Sequence, residues 1–195
     1  MIEHPYPQGT DDWLEARRGV ITASRAKDAR DRDSKGKPSA KMLNYAMDTA
    51  RERCGGKAAP VYQNAAMRMG SEEEQFAAIE YMARTGRALS EAFFITTDDR
   101  KFGLSLDRWV DREAAIEVKT MVSSATLFKA MVEGDISEYR DQCVFALWVL
   151  RLQWVDLCLW APDLPNPLKV IRITRDEAEI QRLEDDMVAF DRLVC

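Results

Sequence analysis

Histidine is nearly absent from this sequence: the 195 residues hold one, His4. A single early imidazole argues against Ser-His-Asp and Cys-His relays, and excludes HExxH and Cys2His2 zinc sites within one chain. Acid–base or metal chemistry must then rest on carboxylates and lysine. Cysteine is thin too. Cys54, Cys143, Cys158 and Cys195 are scattered, with no CxxC pair or cluster suited to zinc or iron–sulfur. A chain of this length buries enough apolar surface to need no disulfide staples. Its 9 glycines and 7 prolines are too few for a linker or a low-complexity array. No apolar run approaches the ~20 residues of a membrane span. Met1 to Thr10 is polar and proline-bearing, where a secretory leader would be apolar. The expectation is a single cytoplasmic globular domain over residues 1–195, with no membrane partner.

Charge is plentiful but unevenly spread. The net charge is −5, yet residues 1–69 carry 13 Lys/Arg against 9 Asp/Glu, and residues 70–195 carry 15 against 24. The stretch 25–57 alone holds ten basic and five acidic residues. Electrostatic footprints are local, so a basic arm beside an acid-lined site is compatible with an acidic protein. A solvated helical face is the plainer reading of the same charges.

The patterning alternates between helical and strand periods. Thr10 or Asp11 suits an N-cap for a short helix over Trp13 to Arg18, with Gly19 ending it. Ser24 suits another helix start. Arg30 to Ser39 (RDRDSKGKPS) has no apolar residue and reads as a mobile basic loop, followed by a helix over 40–53 that Gly55-Gly56 stops. A helix over Asn64 to Thr85 carries an apolar stripe of Phe76, Ile79, Met82 and Ala83, expected to face the core. Strand-like runs follow at 92–97, 103–110 and 114–120, the last two joined by a tight turn at Asp111-Arg112-Glu113. A helix over 139–150, strands over 153–160 and 168–173, and an acidic amphipathic helix over 176–194 complete the chain. Helices flanking a central mixed sheet make the class α/β or α+β.

The hairpin over 103–120 carries the chemistry. Strand side chains alternate, so Ser105 and Asp107 share one face of the first strand and Glu117 and Lys119 one face of the second. Leu104, Leu106, Ile116 and Val118 are expected on the opposite, core-facing side. Carboxylates converging on rigid strands suit Mg²⁺, which takes oxygen ligands and keeps several waters. A lysine beside the metal can orient an attacking water, and two metals can bracket the two oxygens of a phosphodiester displacement. A surface ion pair between Glu117 and Lys119 is the plain alternative.

Asp107 followed ten positions on by Glu117-x-Lys119 matches the order and approximate spacing of the PD-(D/E)xK nuclease core, with Leu106 in place of the proline. Four motifs appear in order: Gln8 to Ser24 (QGTDDWLEARRGVITAS); Met69-Gly70 with Glu74; Leu104 to Asp107 with Ile116 to Lys119; and Tyr139 to Trp148. On these the chain resembles the lambda-exonuclease or YqaJ-type viral recombinase family over roughly residues 8–160. The resemblance implies a restriction-endonuclease-like core and a Mg²⁺-dependent 5′→3′ exonuclease acting on linear double-stranded DNA with a 5′-phosphate. Such an enzyme leaves 3′ overhangs for a single-strand annealing protein. Asp107 and Glu117 would be the principal metal ligands, with Glu74 completing a second site and the Val118 carbonyl adding an oxygen. Two Mg²⁺ ions are implied, with Mn²⁺ able to substitute. Lys119 would position the water, and Gln142 would hold that water or Lys119. Arg17 and Ser24, assisted by Ser105, would take the 5′-phosphate. Without the resemblance, Arg17 reads as a charge complementing a helix dipole.

Of Glu72, Glu73 and Glu74, the four-residue step from Gly70 favours Glu74. Two departures stand out: Arg108 follows the motif aspartate where the family often has glycine, and Val144 stands where a second glutamine is common. The resemblance also implies a ring-shaped homotrimer from a phage or prophage in a bacterial host. The segment 25–57 would then arch over the DNA, with Met42, Leu43 or Met67 available as a wedge. Two other readings stay open: an endonuclease on the same fold, and a non-catalytic DNA-end-binding module.

Overall fold

The computed structural model describes residues 1–57 and 65–194, with the backbone alone over 65–71. The first half comprises β1 (Ile2–His4), α1 (Asp11–Arg17), β2 (Ile21–Thr22), a 3₁₀ turn (Ala23–Arg25), α2 (Ala26–Ala29), α3 (Ala40–Arg53) and α4 (Ala65–Thr85). The strands β3 (Leu89–Ser90), β4 (Phe94–Thr96), β5 (Phe102–Ser105), β6 (Arg108–Val110) and β7 (Ala114–Thr120) follow. Then come α5 (Ser124–Leu127), a π-helical turn (Phe128–Glu133), α6 (Ser137–Leu150), β8 (Trp154–Trp160), β9 (Leu168–Thr174) and α7 (Glu177–Val194). Local chemistry sets several boundaries. The Thr10 hydroxyl accepts the Trp13 amide at 3.3 Å and the Ser39 hydroxyl accepts the Met42 amide at 3.1 Å, each satisfying an orphan donor of a first helical turn. The start expected at Asn64 lies outside the described residues.

The strands form two mixed sheets, ordered β1-β4-β5-β2 and β3-β6-β7-β8-β9, rather than one central sheet. The run 103–110, expected as one strand, is broken: the chain leaves β5 in the first sheet and enters β6 in the second across Leu106 and Asp107. Long-range pairing decides this. β5 is held between β4 and β2, where Gly103 is required because a Cβ would meet Phe94 Cζ at 2.7 Å and Val20 Cγ1 at 2.9 Å. β6 turns back onto β7 through the three residues 111–113: Asp111 and Arg112 are left-handed with φ of 50° and 59°, and the Glu113 amide donates to the Val110 carbonyl at 2.9 Å.

The second sheet is covered on both faces. Ile116, Val118, Cys158 and Trp160 pack against Ala77, Ala78 and Tyr81 of α4, whereas Ala115, Leu157 and Leu159 join the main core with α6 and α7. Leu104 and Leu106 belong to that main core, not to the Ile116–Val118 face as expected, because the change of sheet resets the alternation. A second correction concerns α4. Phe76, Ile79 and Met82 are 50%, 58% and 37% exposed, and Ala83 is exposed with them; the buried face is Ala77, Ala78 and Tyr81. Two alanines let the helix approach β7 closely, a geometry that the larger side chains would prevent. The 30–39 segment is a hydrogen-bonded turn rather than a loose loop. Asp33 Oδ1 accepts the Lys35 and Lys37 amides at 2.8 and 2.9 Å, and Arg30 pairs with Asp141 and Asp186. Among the described cysteines, Cys54, Cys143 and Cys158 are free thiols.

Strand β8 is buried along almost its whole length, including Asp156, which is 1% exposed. That carboxylate accepts from the Tyr81 hydroxyl at 2.8 Å and from two nitrogens of Arg172, both at 2.8 Å, while the guanidinium stacks 3.7 Å from the Trp154 ring centroid. The Arg172 side chain is 44% exposed but Asp156 is buried, so Arg172→Ala leaves a buried carboxylate with Tyr81 alone and is expected to destabilise the fold by about 2 kcal/mol in urea unfolding. A loss under ~1 kcal/mol would mean that the pair behaves as a solvated surface bridge.

Candidate active site

The change of sheet places Asp107 at the junction of β5 and β6, where its Oδ2 accepts the Val118 amide of β7 at 2.5 Å. Along β7 the alternation sends Glu117 and Lys119 to the α6 side. Glu117 is buried, 6% exposed, and its Oε1 accepts from Lys119 Nζ at 2.8 Å and from Gln142 Nε2 at 2.6 Å. Gln142 lies one helical turn after Tyr139, whose ring centroid is 6.0 Å from the Lys119 ammonium. Lys119 and Gln142 thus meet on one buried carboxylate, with Tyr139 beside the lysine.

Helix α4 supplies the other side. Glu73 Oε2 accepts the Trp160 indole N–H at 2.8 Å, and Tyr81 two turns later bonds Asp156, so α4 is pinned to β8 at two points. Glu72 is exposed, and Glu74 is the acid that faces the site. Its Oε1 accepts from Arg108 Nη1 at 2.5 Å, and the same nitrogen also donates to the Asp107 carbonyl. The sequence reading left Arg108, Glu73 and Trp160 without roles, since their partners are far away in the chain.

Electrostatics mark the cluster as short of positive charge. Burial, together with the neighbouring Glu117 and Glu74 carboxylates, pushes the Asp107 carboxyl well above the ordinary range. Burial also raises Glu74, with Arg108 opposing. Burial acts to lower Lys119, but Glu117 and Asp107 outweigh it and hold the ammonium above its usual pKa, so it is charged. Among the described residues no group of three or more His, Cys, Asp or Glu side chains is gathered to hold an ion as it stands. Glu74 and Glu117 are instead turned to the resident cations Arg108 and Lys119. The donor set of Glu74, Asp107, Glu117 and the Val118 carbonyl is all oxygen, and the charge of Glu117 helps to raise both Asp107 and Glu74. It fits a hard divalent cation.

A cleft of about 280 Å³ opens beside this cluster, lined by Tyr6, Trp13, Glu74, Ser105, Asp107 and Arg108 among others. Arg17 packs behind three residues of this lining, with its guanidinium carbon 4.3 Å from the Trp13 ring centroid and 5.1 Å from that of Phe94. Its Nη1 donates to the Ser105 hydroxyl at 3.4 Å, and among the described residues no carboxylate forms an ion pair with it. Burial pushes its pKa down, with Tyr45 and Glu52 opposing. The four-residue spacing of Trp13 and Arg17 on α1 is a signal by which the sequence alone could have paired them. Ser24 is exposed, and its hydroxyl meets Thr22 at 3.4 Å rather than Arg17. Because β2 and β5 run parallel with Thr22 opposite Gly103, Ser24 and Ser105 leave the same end of that pair. In the basic stretch 25–57, Arg25, Lys27, Arg30, Lys41 and Arg53 are paired with carboxylates, whereas Lys35 and Lys37 project from the exposed turn. Met42 is buried, Leu43 is 42% exposed, and the side chain of Met67 lies outside the described residues.

The model of the YqaJ-like viral recombinase domain matches residues 12–153. The chain belongs to this family. Its structure is similar to that of an alkaline exonuclease (LHK-Exo) from Laribacter hongkongensis, at 30% identity and a TM-score of 0.81, covering 93% of this chain and 90% of that one. The same exonuclease has been solved in complex with dAMP. A phage related exonuclease from Haemophilus somnus 129PT shares the fold at 14% identity and a TM-score of 0.72, covering 90% and 93% of the two chains. None of the curated proteins compared matches the chain.

The raised Asp107 pKa has a signed consequence. A carboxyl that holds its proton longer when folded contributes stability that is fully present below its unfolded pKa, near 3.9, and is lost as pH rises through the folded value. Asp107→Asn, which keeps an acceptor for the Val118 amide, is therefore expected to raise Tm of the metal-free protein at neutral pH, with the gain shrinking on acidification. An unchanged or lower Tm would remove carboxylate repulsion as a feature of the site.

Proposed function

We propose that this member of the YqaJ-like family is a phage-type exonuclease that degrades one strand of linear double-stranded DNA from its 5′ end. It requires Mg²⁺ and leaves 3′ single-strand overhangs for a single-strand annealing protein. The observation that carries the reading is the convergence of Glu74, Asp107, Glu117, Lys119 and Gln142 beside a cleft whose Ser105 is bonded by Arg17. The mononucleotide bound by the similar alkaline exonuclease supports it as well, since stepwise digestion releases such products.

Each residue has a task that follows from its contacts. Arg17 and Ser105, with Ser24 at the same end of the strand pair, bind the terminal 5′-phosphate; a planar guanidinium suits that anion through its fork of donors. Lys119, charged and anchored on Glu117, holds a water in line for attack on the phosphorus. Gln142 fixes the Glu117 carboxylate, and the Val118 amide fixes that of Asp107. Glu74, Asp107, Glu117 and the Val118 carbonyl would hold two Mg²⁺ ions, or Mn²⁺ in their place. These ions supply Lewis-acid polarisation and ease deprotonation of water near neutral pH.

The outer surface suits a ring of three chains. The exposed Phe76–Ile79–Met82 stripe is an apolar face that association of chains would cover. Three copies would also repeat the Lys35–Lys37 turn around a central path, so an acidic chain could still grip the DNA backbone.

Digestion assays separate this reading from an endonuclease. With Mg²⁺, linear duplex bearing a 5′-phosphate is expected to disappear faster than the 5′-hydroxyl form, and a closed circle to survive. Lys119→Ala should lower the rate by about 10³-fold or more, because it removes the charged group nearest the reacting water. Cutting of the circle would make the chain an endonuclease with the same site. Full activity in the Lys119 variant would overturn the site assignment.

A further inference from the structure

Arg108 holds Glu74 in a contact that the proposed chemistry does not use. The two side chains are 30% and 22% exposed, so the pair is open to the cleft rather than locked in the core. At 2.5 Å the guanidinium occupies one of the two Glu74 carboxylate oxygens, and its positive charge opposes a divalent ion at the same place. Its second contact, to the Asp107 carbonyl, folds the side chain back over the residue that it follows in sequence. Arg17, which bonds Ser105 of the cleft lining, has no such carboxylate partner among the described residues. One arginine beside the cleft is thus held by a hydroxyl and two aromatic rings, and the other is engaged by an acid.

We propose that Arg108 is a resident cation for Glu74, and that a nucleic-acid phosphate entering the cleft draws Arg108 away and frees that carboxylate for a metal ion. The inference rests on the exonuclease reading for the identity of the anion. Phosphate is the chemistry that competes well, because it accepts the guanidinium fork through two oxygens as a carboxylate does. Leaving Glu74 costs Arg108 one partner, and phosphate replaces it; Glu74 in turn receives the metal. Two ligands that each favour the separated pair raise one another's affinity by the same factor. The protein thus completes its cation site when DNA is present and leaves it incomplete when DNA is absent.

The test uses binding, not hydrolysis. Free Mn²⁺ is counted by electron paramagnetic resonance in the full chain carrying Lys119→Ala, with and without a short 5′-phosphorylated duplex. Binding of the duplex is followed separately by fluorescence anisotropy. The duplex is expected to tighten Mn²⁺ binding about tenfold, and Glu74→Gln should abolish that increment. Arg108→Gln, which nearly preserves the shape, and Arg108→Ala should both bind Mn²⁺ tightly without DNA, with the duplex then adding less than about twofold. Either Arg108 variant matching the parent without DNA, or retaining the full effect of the duplex, would overturn the proposal. Failure of the Lys119-bearing chain to digest DNA would count against the exonuclease reading instead, and the coupling would still be read from the two binding curves.

Discussion

One hydrogen bond sits at the point where the two sheets exchange the chain: the Val118 amide donating to Asp107. Asp107 follows a strand of the first sheet and precedes a strand of the second, while Val118 lies on the central hairpin partner of that second strand. The bond therefore fixes the carboxylate relative to both sheets at once. Everything proposed for the site depends on that junction. The Arg17–Ser105 contact reaches it from the first sheet, and Glu117, Lys119 and Gln142 reach it from the second sheet and α6.

The site is stable despite its charge because each acid has its own partner. Glu117 is held by Lys119 and Gln142, Asp107 by a backbone amide, Glu74 by Arg108 and Glu73 by Trp160. Burying acids this close together raises the pKa of Asp107 and Glu74, so the metal-free arrangement is under electrostatic load. Functional sites carry such loads when the surrounding scaffold is firm. Here the scaffold includes Asp156, buried and fully partnered by Tyr81 and Arg172, which ties α4 to β8.

The parts legible from sequence were those set by nearby residues. Helix α3 begins at its serine cap and strand β7 spans Ala114–Thr120, both where local pattern placed them. Asp107, Glu117 and Lys119 could be associated because the three-residue turn at 111–113 brings them together. What escaped notice depends on distant pairing. Neither the change of sheet after Ser105 nor the pairing of β1 with β4 has a local signal. The α4 stripe misled because large apolar side chains outweigh alanines in any periodicity argument, yet Ala77 and Ala78 are what permit close packing. Arg108 and Glu74 lie 34 positions apart, and only the fold reveals that they meet.

The most direct measurement follows the first product from a duplex labelled on one 5′-phosphate, in Mg²⁺, under single-turnover conditions. The account predicts that the label leaves first and as a mononucleotide, from linear duplex with the 3′-ended strand left intact. Release of the label within longer fragments, or loss of nucleotides from the 3′ end first, would contradict it.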